Sequence, residues 1–433
     1  MERKKQIIME IIDLKPIAPD GERMNKDQRV ESHIRANYTV RYNVVKGCLE
    51  YLVDKWMRMK DRTINSISRE LKNTRFKNSQ DNWDNLATSP NKLFTLLDSD
   101  FTPEIDPVKQ YLNGLYAKDT GSIRCFTDCI KVASWYSETE KEYLFTYWRK
   151  WLVGTVANAL RDDNCYNHLC IVLVGEQGLK KGFLIEELLP VSMREYIKTD
   201  GNFDPRNKDS VIAIAQYMIL HLDDMLKKVN LRDYNEIKNA ITRPDIKVRK
   251  SYGRLEEVMP HRASFLATVN DKEFITDLTG SRRFMPFEIE SIDWDEFKKI
   301  DMNDVWAEAV CLYQKKFEYW VTKEEENTLS GYKQQFMVEF SEEGLLTHYF
   351  MPYQSDDESH YSRKETMTTT MILQKLTELS GMHNLSDKKL GALLKSLGFV
   401  QRRARLVGNP NPVRCYDVVL RDFHENSLED GSA

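Results

Sequence analysis

The spacing of apolar residues changes several times along this chain, and each change marks an element. Tyr38 to Val45 and Gly47 to Leu52 are strand-like runs, whereas the apolar positions from Ile64 to Leu71 return at helical intervals. Thr139 to Leu160 predicts a long amphipathic helix, with Tyr147, Trp151 and Val156 inward and Lys141, Arg149 and Lys150 outward. A short β-branched run, Ile171 to Val174, then enters a turn holding Gly175 and Gly178, and an amphipathic stretch from Phe183 to Leu189 follows. Ile212 to Leu222 reads as a buried strand that ends abruptly in Asp223 and Asp224. Phe265 to Asn270 reads as another, ending in Thr and Asn. Strands alternating with helices from 171 to 320 predict an α/β nucleotide-binding sheet.

The end of the chain follows a different pattern. Residues 352–366 are polar and turn-rich, as in a linker. Thr368 to Leu379 is helical, and Leu385-Ser386-Asp387 offers a cap for a second helix, Lys388 to Leu397, which Gly398 ends. Strand-like Phe399 to Val407 and Val413 to Leu420 flank a turn at Gly408 to Pro412. Helix, helix and hairpin is a winged-helix order. The expected division is a mixed α+β region over 1–120, a P-loop NTPase core over 121–330, a helix and linker over 331–366, and a small winged-helix-like domain over 367–433.

Composition narrows the class. A chain of 433 residues exceeds one ordinary core, and 41% hydrophobic with 11% aromatic content supports folded domains. A net charge of −4 excludes a surface positive all over, yet leaves room for a local basic face. Seven scattered cysteines without CxxC spacing suit a reducing cytoplasm. Cys165, His168 and Cys170 are the nearest thing to a metal cluster. Met1-Glu2-Arg3-Lys4-Lys5 opens no secretory signal, and Val211 to Leu220 is too short to span a bilayer. A soluble cytoplasmic protein is expected.

The chemistry begins at Gly175. Strand, glycine turn and helix form the context of a phosphate-binding P-loop, where backbone amides face the anion and a lysine reaches the outer phosphates. Against G-x-x-x-x-G-K-[ST], Gly175 and Lys181 fall in place, Lys180 replaces the second glycine, and Gly182 replaces the Mg²⁺-binding hydroxyl. The nucleotide-holding set is Gly175, Gln177, Gly178, Lys180, Lys181 and Gly182. Asp223 is then expected to hold Mg²⁺, with Asp224 as the base that activates water. A buried strand before an acidic turn would look the same. Asn270 is placed to sense a γ-phosphate. Of Arg282 and Arg283, one suits an arginine finger reaching a neighbouring subunit's nucleotide and the other a structural ion pair.

Between the carboxylates and Asn270, residues 227–262 carry ten bases against five acids, a surplus of five, with Tyr252 among them. Lys238, Arg249, Lys250 and Tyr252 suit single-stranded DNA, where phosphates meet cations and bases stack. Lys388, Lys389, Arg402 and Arg403 give the C-terminal domain a face for duplex DNA. A solvated charged surface is the plainer reading of both.

Together these residues resemble the virulence-associated protein E (VapE) family, P-loop ATPases of phages and mobile elements related to superfamily 3 helicases. The resemblance runs from about Tyr42 to Lys323 and rests on several blocks. These are Trp148-Arg149-Lys150-Trp151-Leu152-Val153, Leu173 to Gly178, Ile237-Lys238 with Thr242-Arg243, Arg249, Tyr252-Gly253, and Pro260-His261-Arg262. Thr268-Val269-Asn270, Asp277 to Phe284 and Val305-Trp306-Ala307-Glu308-Ala309 complete the set. The resemblance implies an AAA+/superfamily 3 helicase-like core, ATP and Mg²⁺ as cofactors, a homo-oligomeric ring, and a DNA-processing role in replication of an integrated element. The primase-like domain often fused at the front of relatives is not expected in this sequence. The family's loop continues G-x-G-K-S/T where this chain has Gly178-Leu179-Lys180-Lys181-Gly182, and its glutamate is Asp224 here. Those departures leave two readings open: a helicase-like ATPase motor, or a hydrolysis-deficient DNA-binding scaffold. A small-molecule kinase would share the loop but leave the basic segments unexplained.

Overall fold

The computed structural model describes residues 24–77, 82–226, 231–248, 257–275, 283–337, 342–353, 364–380, 387–406 and 412–420. Arg249, Lys250, Tyr252, Arg282, the Leu385-Ser386 cap and most of the Gly408 turn lie outside them, as do residues 1–23. The chain divides into two compact units, 1–114 and 115–433.

In the first unit, β1 (Val40–Asn43), β2 (Cys48–Leu52) and β3 (Trp56–Arg58) form an antiparallel meander. β4 (Arg75–Lys77) pairs with β5 (Trp83–Asn85), and β6 (Glu104–Ile105) runs parallel to β1. Helices Lys26–Asn37, Asp61–Asn73 and Pro90–Leu97 contribute Val30, Ile34, Ile64, Ile67, Leu71, Leu93 and Leu97 to one apolar cluster with Leu49. Inside the sheet Arg41 pairs with Glu50 at 2.7 Å, and Asn43 donates to the same carboxylate, so the two buried charges have partners.

The second unit is built on six strands: β7 (Ile130–Val132), β8 (Cys170–Val174), β9 (Ile197–Asp200), β10 (Ile219–Asp223), β13 (Ser264–Val269) and β14 (Phe284–Ile292). β11 (Asp245–Val248) and β12 (Glu257–Pro260) form a separate two-stranded ribbon. The sheet order is β7-β14-β8-β13-β10-β9, parallel throughout except for β7 at its edge. Every residue of β8 and β13 is buried, as a parallel strand covered on both faces requires. After β8 the chain crosses to β9 at the far edge. After β13 it crosses the other way, to β14. The carboxyl ends of the adjacent β8 and β13 therefore flank the crevice where the winding direction reverses.

Two expectations need correction. The apolar run Ile212 to Leu222 is not one strand: Lys208–Gln216 is a helix capped by Asn207, and only Ile219–Asp223 is extended. A buried helix and a buried strand have the same all-apolar signature, and the Asn207 cap decided between them. Nor does Lys150 face outward. The helix Glu138–Leu160 is buried on all sides over its second half, and the Lys150 ammonium donates to Trp320 O and Glu325 Oε2, each at 2.8 Å.

The C-terminal part of this unit gathers around β18 (Val413–Leu420). That strand pairs with β15 (Phe350–Pro352) and β17 (Gln401–Ala404), and also with β16 (Lys364–Met367). Helices Glu342–Tyr349, Thr369–Ser380 and Asp387–Ser396 accompany them. Leu345, Leu346 and Phe350 share a core with Ile372, Leu376, Leu394 and Val418. The ends of the expected linker are thus strands of this body, while 354–363 lie outside the described residues.

Gly154 yields a test of the packing between the long helix and the sheet. A Cβ there would lie 2.9 Å from Asn167 Cγ and Oδ1. Asn167 is buried and donates to Trp151 O, Thr155 Oγ1 and Ser264 Oγ, so it has no room to retreat. Gly154→Ala should gain about 1 kcal/mol of helix propensity and lose roughly 2–3 kcal/mol to overpacking and broken hydrogen bonds. A net loss is expected in urea denaturation. Unchanged or raised stability would show that the Asn167 network yields freely.

Candidate functional site

The loop leaving β8 is narrow at its start. A Cβ on Gly175 would meet Ile289 O, a backbone atom of the adjoining strand, at 2.7 Å. Gly178 takes φ +99°, and Lys180, the last residue before the helix Lys181–Glu186, takes φ +59°. A lysine at the expected second glycine therefore keeps the left-handed backbone that glycine adopts freely, at a cost of about 1 kcal/mol. Gln177 and Lys180 are exposed at the rim.

Lys181 turns back under this loop. Its Nζ donates to Gly175 O (2.6 Å), Glu176 O (2.9 Å) and Asn270 Oδ1 (3.2 Å). Asn270 in turn donates through Nδ2 to Asp224 Oδ2 at 3.3 Å. Burial holds the ammonium's pKa below the usual lysine range, while the charges of Asp224 and Asp223 oppose that shift. The structure thus brings Gly175, Lys181, Asp223, Asp224 and Asn270 together above the ends of β8, β13 and β10. Asp224 also sits at φ +54°, its amide donating to Thr268 O.

Behind the carboxylates runs a hydrogen-bonded chain that the sequence reading passed over. Thr199 Oγ1 lies 3.2 Å from His221 Nδ1, and His221 Nε2 lies 2.8 Å from Thr268 Oγ1. Thr268 Oγ1 donates to Asp223 Oδ1 at 2.6 Å. The single Thr268 proton is committed to Asp223, so His221 must donate from Nε2 and accept at Nδ1 from Thr199. Burial depresses the His221 pKa to about 4 against the pull of Asp223, which agrees with a neutral ring. A histidine inside an apolar strand, two residues before an acidic pair, was the available signal. Gly182 faces this ring: a Cβ there would lie 3.6 Å from His221 Cε1, an ordinary contact.

The remaining candidates are dispersed. Arg283 donates to Thr242 Oγ1 at 3.4 Å, joining β14 to the helix Leu231–Thr242. Lys238, expected on a DNA face, is only 6% exposed and holds its ammonium 5.2 Å over the Tyr234 ring. Arg402 is tied by two 2.8 Å hydrogen bonds to Asp417, so its charge is largely matched. Arg403 is exposed opposite Arg414 across the β17–β18 pair. Lys388 and Lys389 fall in the first turn of the helix Asp387–Ser396. Of the cysteine group, Cys165 Sγ donates to Ile241 O and His168 Nε2 faces Cys165 O, so each is engaged with backbone. Among the described residues no helix is long and apolar enough to cross a membrane.

The lysine-bearing loop and the acidic strand both fall within a stretch that matches a known family. Residues 124–338 match the family model of the virulence-associated protein E-like domain. This VapE-like stretch takes in the six-stranded sheet and every residue of the Lys181 cluster, and it ends before the C-terminal body begins. The apo structure of the NrS-1 C-terminal region (305-718) is similar, with 12% identity over 92% of this chain and 100% of that one, at a TM-score of 0.45. The A form apo structure of the same region aligns over 90% of this chain and 98% of that one, with 12% identity and a TM-score of 0.40. Among curated proteins there is no match.

A neutral buried His221 makes stability depend on pH. The unfolded chain takes up the proton near the ordinary value of 6.5, whereas the fold resists it down to about 4. The contribution is therefore complete above pH 6.5 and is lost as pH falls from there towards 4. Between about pH 7 and pH 5 the protein should lose roughly 2 kcal/mol more than its His221→Gln variant. Parallel pH profiles of the two in urea denaturation would contradict this.

Proposed function

We propose that the Lys181 cluster is a nucleoside triphosphate site, and that this chain is a VapE-type P-loop ATPase acting on DNA in the replication of a mobile element. One observation carries the reading: the Lys181 ammonium is bonded to Asn270, and Asn270 to Asp224, over three neighbouring strand ends. Lysine for phosphate, amide for the γ-phosphate and carboxylate for water are the groups that hydrolysis of a phosphoanhydride needs. The strand order supports it, because the loop strand β8, the Asn270 strand β13 and the acidic strand β10 lie side by side.

The residues fit a triphosphate. The ammonium is held at the loop mouth by carbonyls, and Gly175 leaves no space for a side chain where the loop turns. They fit Mg²⁺ less fully. Asp223 presents a half-exposed carboxylate, but Gly182 adds no hydroxyl. A magnesium ion commonly takes one or two carboxylates and completes its shell with water and phosphate oxygens, where it neutralises charge developing on the phosphates. In this reading Asp223 holds the metal, with Thr268 and His221 fixing its orientation. Asp224 accepts the water proton, and Asn270 and Lys181 orient the outer phosphate.

A second reading, a DNA-bound ATPase fold with little turnover, is favoured by Lys180, Gly182 and the strained Asp224. The two are separable. Lys181→Ala should weaken ATP binding by at least about tenfold, since it deletes a charged hydrogen-bond donor. Lys180→Gly relieves a left-handed lysine and Gly182→Ser fills open space, so the pair together should raise DNA-stimulated ATP turnover. Equal ATP binding by Lys181→Ala would end the nucleotide-site reading. ATP binding with negligible turnover in the parent, restored by the double variant, would favour the low-turnover scaffold, whereas DNA-stimulated turnover by the parent itself would favour the motor.

For DNA, the exposed Arg403–Arg414 pair replaces Lys238 and Arg402 as the contact we favour. Two like charges directly opposite on a sheet disfavour the fold, and a phosphate between them removes that repulsion. The helices and the four-stranded sheet built on β18 suit a winged-helix reading, with the helix that carries Lys388 and Lys389 entering a duplex groove. Oligomerisation, with Arg282 serving a neighbouring subunit's nucleotide, belongs to the same proposal, since Arg283 is engaged by Thr242. Arg403→Ala with Arg414→Ala should weaken duplex binding and reduce the slope of log affinity against log salt by about 2. An unchanged slope in a salt titration would exclude this hairpin as the contact.

A further inference from the structure

Phe183 is 48% exposed although it lies only two positions beyond Lys181. On an α-helix two positions correspond to about 200° of rotation, so Phe183 leaves the helix on the flank opposite the Lys181 side chain. Lys181 reaches towards Asn270 at the end of β13. Phe183 instead meets Trp294, two residues past the end of β14, on the other side of β8. The two ring centroids are 5.1 Å apart and the planes are inclined by 52°. Trp294 is itself braced edge-on by buried Phe297 at 5.4 Å. The helix Trp294–Phe297 is fixed by the Asp293 side chain, which accepts from Glu296 N, and by Asp293 N, which donates to Cys129 O. The supporting ring is therefore anchored while the Phe183 face stays open to solvent.

An open aromatic face on a fixed support is unusual on a helix whose other flank carries a phosphate-type lysine. Exposing half a phenyl ring forgoes burial worth about 1 kcal/mol, and the fold itself takes no benefit from the exposure. We infer that the Phe183–Trp294 pair is the seat for the base of the nucleotide whose phosphates lie at Lys181, and that it selects a purine. The inference rests on the nucleotide-site reading of Lys181. The polar ends of the site (Asn270, Asp223 and Asp224) and this aromatic pair lie on opposite sides of the loop. A triphosphate laid along the loop with its γ end at Asn270 points its nucleoside towards β14. A purine offers more stacking area than a pyrimidine to two rings set at an angle. Asp295 and Glu296, exposed beside Trp294, can accept hydrogen bonds from an exocyclic amine or a ribose hydroxyl.

The test compares ATP, CTP and inorganic tripolyphosphate by titration calorimetry on the full chain with Mg²⁺ present. ATP is expected to bind more tightly than CTP or tripolyphosphate. Phe183→Ala should weaken ATP about tenfold, the scale of lost base stacking, and leave tripolyphosphate unchanged. Phe183→Trp should retain ATP affinity and show indole fluorescence that ATP quenches and tripolyphosphate does not. The seat is refuted if Phe183→Ala binds ATP as well as the parent, or if it weakens ATP and tripolyphosphate alike. It is equally refuted if the substitution only dissociates an oligomer, which would make the face a subunit contact. If the parent binds no tripolyphosphate, the phosphate-site reading fails first and the base seat falls with it.

Discussion

The ammonium of Lys181 is the point on which the second unit's chemistry turns. It is buried, its proton affinity is lowered by that burial, and it is kept charged by neighbours that arrive on separate strands. Carbonyls of the β8 loop hold it from one side and Asn270, at the end of β13, from the other. A buried cation is tolerated only when such acceptors converge. The convergence ties the ends of β8, β13 and β10 into one arrangement, so these polar groups are fixed relative to one another. Preorganisation of this kind is what lets fixed dipoles stabilise charge without rearranging.

Behind that surface the structure spends polar groups freely in a sheet that could have been wholly apolar. Thr199, His221 and Thr268 form a directed chain of donors that ends on Asp223. Each member lies on a different strand, and each proton has one place to go. The arrangement fixes the rotamer of Asp223 through its Oδ1. It also explains why Gly182 is tolerated structurally: the ring of His221 fills the space beneath it, leaving room for a small side chain but requiring none.

The departures from an ideal phosphate loop have unequal physical weight. Lys180 changes a residue but not the backbone conformation, so the loop path survives at the cost of local strain. Gly182 lacks the hydroxyl of that pattern and leaves ordinary contact space beside His221. The basic residues show the opposite asymmetry. Lys238 and Arg402 look like solvent-facing cations in a linear reading, yet one is buried against Tyr234 and the other is matched by Asp417. Arg403 and Arg414 remain, exposed opposite each other across the β17–β18 pair.

Much of this protein was legible in one dimension. Ile171 to Val174, Phe265 to Val269 and the pattern from Thr139 to Leu160 announced their elements, because buried parallel strands and a long capped helix leave dense local signatures. The loop and the acidic pair were legible for the same reason: glycine, lysine and carboxylate at set intervals follow from local geometry. Partnership was not. That Lys181 meets Asn270, that Lys150 turns inward to Glu325, and that His221 bonds to the Thr268 hydroxyl that donates to Asp223 depend on which elements become neighbours. The split of Ile212 to Leu222 into helix and strand turned on the Asn207 cap, because the all-apolar run itself suits either element. Periodicity reports which residues avoid water. Only closure of the sheet decides which polar groups, drawn from distant parts of the chain, must satisfy one another once water is gone.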